Sequence, residues 1–181
     1  MYKIDNVSEK KILLGFWIYL LSDCILFSVL FAVYVLLSKK NIIYNMFMVN
    51  IETIILLLSS FFIGIVVLVL KKEHIVFNLI IVLLLGALFV SLELKEIMSL
   101  INKGFIPKTS SFISAYLTLI GTHCIHIIIG IYWGLCLLLN ILFKGLNIKN
   151  KTSLLCLSIF WHFLHIIWVC IYTIVYLIGV I

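Results

Sequence analysis

The chain contains no arginine: its thirteen basic residues are all lysine, a usage that with its abundant isoleucine and asparagine suits an AT-rich coding sequence. The formal charge of +6 is therefore a poor sign of a nucleic-acid surface, which is recognised by clustered basic residues on one face. Charge of either sign is scarce, at 11% of 181 residues, against about 25% in soluble domains. Proline occurs once, at Pro107, so no proline interrupts the apolar runs. The five cysteines (Cys24, Cys124, Cys136, Cys156 and Cys170) stand singly in apolar surroundings with no C-x-x-C pair. They read as small buried hydrophobes rather than disulfides or zinc ligands. Glycine-rich phosphate loops, nucleophile elbows and soluble catalytic segments are also missing, and a self-contained enzyme is not expected.

What is present is apolar: 65% hydrophobic residues and a mean hydropathy of +1.34 describe an integral membrane protein. A bilayer core of about 30 Å needs about 20 apolar residues per helix. Breaking the chain at its lysine clusters and turn residues leaves five such stretches, near 12–38, 46–70, 75–96, 112–143 and 154–180. The separators are "KKN", "KKEH", "NKGFIPKTSS" and "KGLNIKNK". The expected fold is all-α, one transmembrane bundle of five helices over 1–181 with no soluble domain. The first and fourth stretches exceed the minimum length and should tilt or project. The first is too long for a signal peptide and lacks a clear small-residue cleavage site, so it is kept as a helix. Lys3, Lys10, Lys11, Lys71, Lys72, Lys144, Lys149 and Lys151 fall on the amino-terminal side, against Lys39, Lys40, Lys95, Lys103 and Lys108 opposite. The positive-inside rule then places the amino terminus in the cytoplasm and the carboxyl terminus in the periplasm. Trp17, Tyr19, Tyr44 and Tyr172 lie near predicted ends, as interfacial anchors do.

Within these stretches a buried charge requires a partner or a task. Asp23 lies midway along the first, Glu52 in the first two turns of the second, and Glu93 with Glu96 at the end of the third. Each is either part of a proton or ion path, or neutral or hydrogen-bonded to a neighbouring helix. The histidines form two pairs with the same spacing, His123/His126 in "GTHCIHIIIG" and His162/His165 in "FWHFLHIIW". An i, i+3 pair lies on one helix face, so adjacent helices would let four imidazoles converge on a haem or metal. The alternative is a polar packing seam of interhelical hydrogen bonds. Gly130 and Gly134 form a GxxxG, and Ser60 with Gly64 a second small pair, both signs of close helix packing.

Read in order, "GFWIYLLSDCILFSVLFAVYVLL", "ETIILLLSS", "SLELKEIM", "GTHCIHIIIGIYW" and "SIFWHFLHIIWVCIYTIVYLIG" resemble subunit III of the haem-copper terminal oxidases. The resemblance is closest to the five-helix form found in bacterial cytochrome o ubiquinol oxidases. It implies a non-catalytic, structural and supporting subunit of a proton-pumping complex in the aerobic respiratory chain of the bacterial inner membrane. Such a subunit packs beside subunit I, with subunits II and IV as further partners, and binds membrane phospholipid. It carries no catalytic, cofactor or metal site of its own, haem and copper residing in subunit I, and it has no nucleic-acid partner. By motif, Asp23 takes the place of the family's intramembrane carboxylate and Glu93 that of its glutamate in the third helix here. His123 and His126 match its H-x-x-H, and Trp161, His162, Phe163 and Trp168 match its last-helix signature. The family usually has aspartate where this chain has His165, and an aromatic where it has Lys95, a cation able to pair with Glu93 or Glu96. The resulting structural, lipid-cleft or hydrogen-bonding candidates are Asp23, Glu52, Glu93, His123, His126, Trp161, His162, His165 and Trp168. The competing readings are a bis-histidine membrane cytochrome and a small proton-coupled transporter built around Asp23 and Glu93.

Overall fold

A computed structural model describes residues 7–37, 46–68, 71–102 and 111–177. They form α1 (Val7–Leu37), α2 (Met46–Leu68), α3 (Lys72–Asn102), α4 (Ser111–Lys144) and α5 (Ile148–Ile171), the last continuing as a π-helical turn, Tyr172–Leu177. All five are long and apolar enough to cross a membrane. Tyr44 and the ends of the expected spans at 38, 69–70 and 178–180 lie outside the described residues.

The helices end elsewhere than the charge pattern predicts. The third begins at Lys72 and runs to Asn102 rather than spanning 75–96, because lysine and glutamate are good helix formers and do not stop a helix. The fifth starts at Ile148, not at 154, so the turn between α4 and α5 is only residues 145–147. Gly145 makes that turn: its φ of 73° is a left-handed conformation that suits glycine, and its N–H donates to Ile141 O at 3.1 Å, capping α4. Near the far end of α5 the Thr173 hydroxyl takes the carbonyls of Val169 and Cys170. Such side-chain competition for backbone acceptors accompanies the change to π geometry there.

Helices α2 to α5 form a ring in which α2 neighbours α3 and α5, and α4 neighbours α3 and α5, while α1 packs outside against α4 and α5. The placement shows in burial: 22% of the most apolar part of α1 is buried, against 56% for α5. The outward faces carry large apolar side chains such as Leu36, Phe61, Leu84 and Phe143, as lipid-facing helices do. Cys24 lies on that exposed surface, correcting its assignment as buried; Cys136 and Cys170 are half-buried, while Cys124 and Cys156 are buried.

One large side chain joins all four helices of the ring. Trp161 of α5 reaches across to α3 and α4, so that a Cβ on Gly86 would lie 2.9 Å from its ring and one on Gly130 3.2 Å from it. Its indole N–H donates to Ser59 Oγ of α2 at 3.0 Å. The first glycine of the GxxxG thus makes room for an indole, and the second, Gly134, approaches Leu83 of α3. Gly86→Ala is expected to destabilise the bundle by about 1–3 kcal/mol, since a rigid ring and two backbones must move apart. Gly121→Ala, with nothing within 4 Å of the new methyl, should be neutral or mildly stabilising. Denaturation of both variants in detergent, compared with the parent, checks the contrast.

Candidate functional site

Polar side chains gather at three places in the bundle. The first is the seam of α1 and α4, which run antiparallel from Phe16 against Trp133 to Tyr34 against Phe112. Midway, buried Asp23 faces His126, with Oδ2 and Nε2 3.7 Å apart. His126 Nδ1 donates to Thr122 O at 2.8 Å, leaving Nε2 to face the carboxyl. A bare carboxylate against an imidazole lone pair has no proton to share, so a favourable contact requires one proton between them. At 3.7 Å the contact is longer than a hydrogen bond. Phe27, one turn beyond Asp23, covers the pair with its ring centroid 5.2 Å from that of His126.

The second place is the interior of the ring. His123, three residues before His126, is fully buried. The 60° between them on the helix, at about 100° per residue, turns the two rings into different interfaces. His123 Nε2 donates to Leu164 O at 3.3 Å, and the ring stacks on Trp168 with centroids 5.3 Å apart. Trp168 also meets Phe89 of α3 edge-on and donates its indole N–H to Thr53 of α2 at 3.1 Å. The two tryptophans, seven residues apart on α5, therefore each link it to α2, α3 and α4.

The third place is a carboxyl cluster near the end of the bundle where α2 and α4 begin. Glu52 and Glu93 are buried and stand close enough to each other and to Glu96 to interact electrostatically. Both Glu93 oxygens are buried without a hydrogen-bond partner among the described residues, and two carboxylates only accept, so a hydrogen bond between Glu52 and Glu93 would need a proton on one of them. Beside them the Tyr116 and Tyr176 hydroxyls lie 3.1 Å apart. Lys95 is exposed and pairs with neither acid among the described residues. Two residues along a helix from Glu93, it points to the opposite side.

The four imidazoles do not converge. His123 and His126 are committed to the α5 backbone and to α1, while His162 and His165 lie half-buried and His162 faces α2 at Gly64. Among the described residues no group of three or more His, Cys, Asp or Glu side chains is arranged to hold a metal ion. Trp161 and Trp168, structural or hydrogen-bonding candidates from the last-helix signature, each join α5 to three helices, a role that their i, i+7 spacing on one face allows. Ser59 and Thr53, their acceptors, carried no signal in the sequence.

No protein-family model matches the chain. It is 42% identical to cytochrome bo(3) ubiquinol oxidase subunit 3 of Buchnera aphidicola from Acyrthosiphon pisum, over 98% of this chain and 91% of that one. Identity is 40% to the protein of the same name from Pseudomonas putida, over 96% and 88%. It is 36% to a probable quinol oxidase subunit 3 of Staphylococcus haemolyticus, over 93% and 89%. With five helices able to span a membrane and this likeness along nearly its whole length, the chain is a multi-pass protein of the bacterial inner membrane and belongs to the cytochrome bo(3) ubiquinol oxidase subunit 3 family.

Proposed function

We propose that this chain is the non-catalytic supporting subunit of a proton-pumping ubiquinol oxidase in the aerobic respiratory chain. It packs beside the haem-copper subunit I, has subunits II and IV as its other partners, and holds phospholipid against its apolar faces. The observation that carries this reading is the near full-length likeness to proteins named as subunit 3 of such oxidases. The inward direction of the chain's own chemistry supports it. Asp23 faces His126, Glu52 faces Glu93, and His123 is spent on a backbone carbonyl, so these groups hold helices together. The bis-histidine alternative finds no support in this arrangement. The amino terminus is assigned to the cytoplasm, since Lys71, Lys72 and Lys144 lie at the end of the bundle where α1 begins and the positive side of a membrane protein faces inward.

An affinity tag on this chain should recover haem, copper and ubiquinol-oxidising activity with the larger subunits in a fixed ratio. Recovery as a stable monomer without them would overturn the assignment.

A further inference from the structure

The face of α5 turned toward α2 carries Ser158 and His162, with His165 one turn further along the helix. A groove of about 620 Å³ opens there, lined by Ser60, Phe61 and Gly64 of α2 and by Leu155, Ser158 and His162 of α5. His162 lies against the α2 backbone, its Nε2 3.9 Å from where a Cβ on Gly64 would stand. Neither imidazole has a hydrogen-bond partner among the described residues, and His165 Nδ1 is buried without one.

Depth makes this informative. His162 is fourteen residues from Ile148 and fifteen from Leu177, roughly 20 Å from either end of the helix at its usual rise, and so in the middle of the hydrocarbon layer. Phospholipid headgroups and bulk water do not reach that level, and an acyl chain offers an imidazole neither donor nor acceptor. The occupant complementary to this groove brings a hydrogen-bonding group to mid-membrane. A transmembrane helix does so with an acid, amide or hydroxyl side chain, and the small residues Ser60 and Gly64 leave α2 low enough for its backbone to come close.

We propose that the α2/α5 groove seats a transmembrane helix of another subunit of the oxidase, whose polar side chain is received by His162. The inference rests on the subunit reading above and adds to it a particular contact surface.

The test places a photoreactive benzoylphenylalanine at Leu155, on the groove wall, in the complete oxidase in its native membrane. Illumination should join this chain to another membrane subunit of the same complex, with the adduct identified by peptide mass. In that background His162→Leu should lower the adduct yield severalfold, and His162→Gln, which keeps a hydrogen-bonding edge, should restore it. Adducts to lipid alone, to a second copy of the chain, or none at all, in a preparation where the chain co-purifies with the oxidase, would overturn the groove assignment. A chain that does not co-purify brings down the subunit reading first and the groove with it.

Discussion

Replacing Trp161 by alanine is expected to cost the bundle about 3 kcal/mol, the low end for a buried tryptophan, and to cut sharply the amount of chain recovered from membranes. The ring touches all three other helices of the ring at once, over Gly86 and Gly130 and through Ser59. The cost is one of lost packing, because helices that separate in a bilayer still stand in an apolar medium. Ser59 itself stays satisfied, since its hydroxyl donates to Leu56 O at 2.8 Å. A double-mutant cycle sharpens the expectation. Once the indole is gone, the methyl of Gly86→Ala meets Ile131 at 3.4 Å, an ordinary contact, so the pair should be more stable than the sum of the single effects predicts. Additive effects, measured by detergent denaturation, would show that the tryptophan does not organise the centre.

Asp23→Ala is expected to leave the initial rate of oxygen reduction by the complex largely intact and to shorten its working life. The carboxyl is buried opposite His126 on the outermost helix, where it joins α1 to α4. Removing it leaves an imidazole nitrogen unmatched, a loss of about 1 kcal/mol, and loosens the hold of α1 on α4. Asp23→Asn separates two meanings of the pair. An amide N–H donates to His126 Nε2 with no added proton, so if the pair serves to fasten α1, asparagine should restore the working life that alanine loses. If asparagine behaves as alanine does, the exchangeable proton matters and the pair is more than a fastener. Activity followed over many turnovers, with retention of this chain in the complex scored in parallel, distinguishes the two.

The number and order of the helices were legible in the sequence because the membrane requires length and apolarity, and the runs meet both without a proline. Their ends were less so. Breaking the chain at Lys71–Lys72, Glu96 and the lysines after Lys144 treats charge as a stop signal, whereas among the described residues it is Gly145, with its positive φ, that ends a helix by conformation. The π-helical turn had no periodicity to reveal it. The i, i+3 histidine pairs do share a face, but a face broad enough to meet two neighbours. His123 turns inward to Trp168 and His126 outward to Asp23, a division that helix spacing alone does not specify. Lys95 beside Glu93 and Glu96 suggested an ion pair from adjacency in sequence, and a helix separates neighbours two residues apart.

The most direct test of the account is to strip this chain from the purified oxidase under mild detergent and measure haem, copper and initial ubiquinol oxidation in the remainder, with the optical spectrum of the released chain. Haem, copper and most of the initial rate should stay with the larger subunits, and the released chain should have no Soret band. Haem leaving with this chain, in a band abolished by His126→Ala or His162→Ala, would contradict a non-catalytic role.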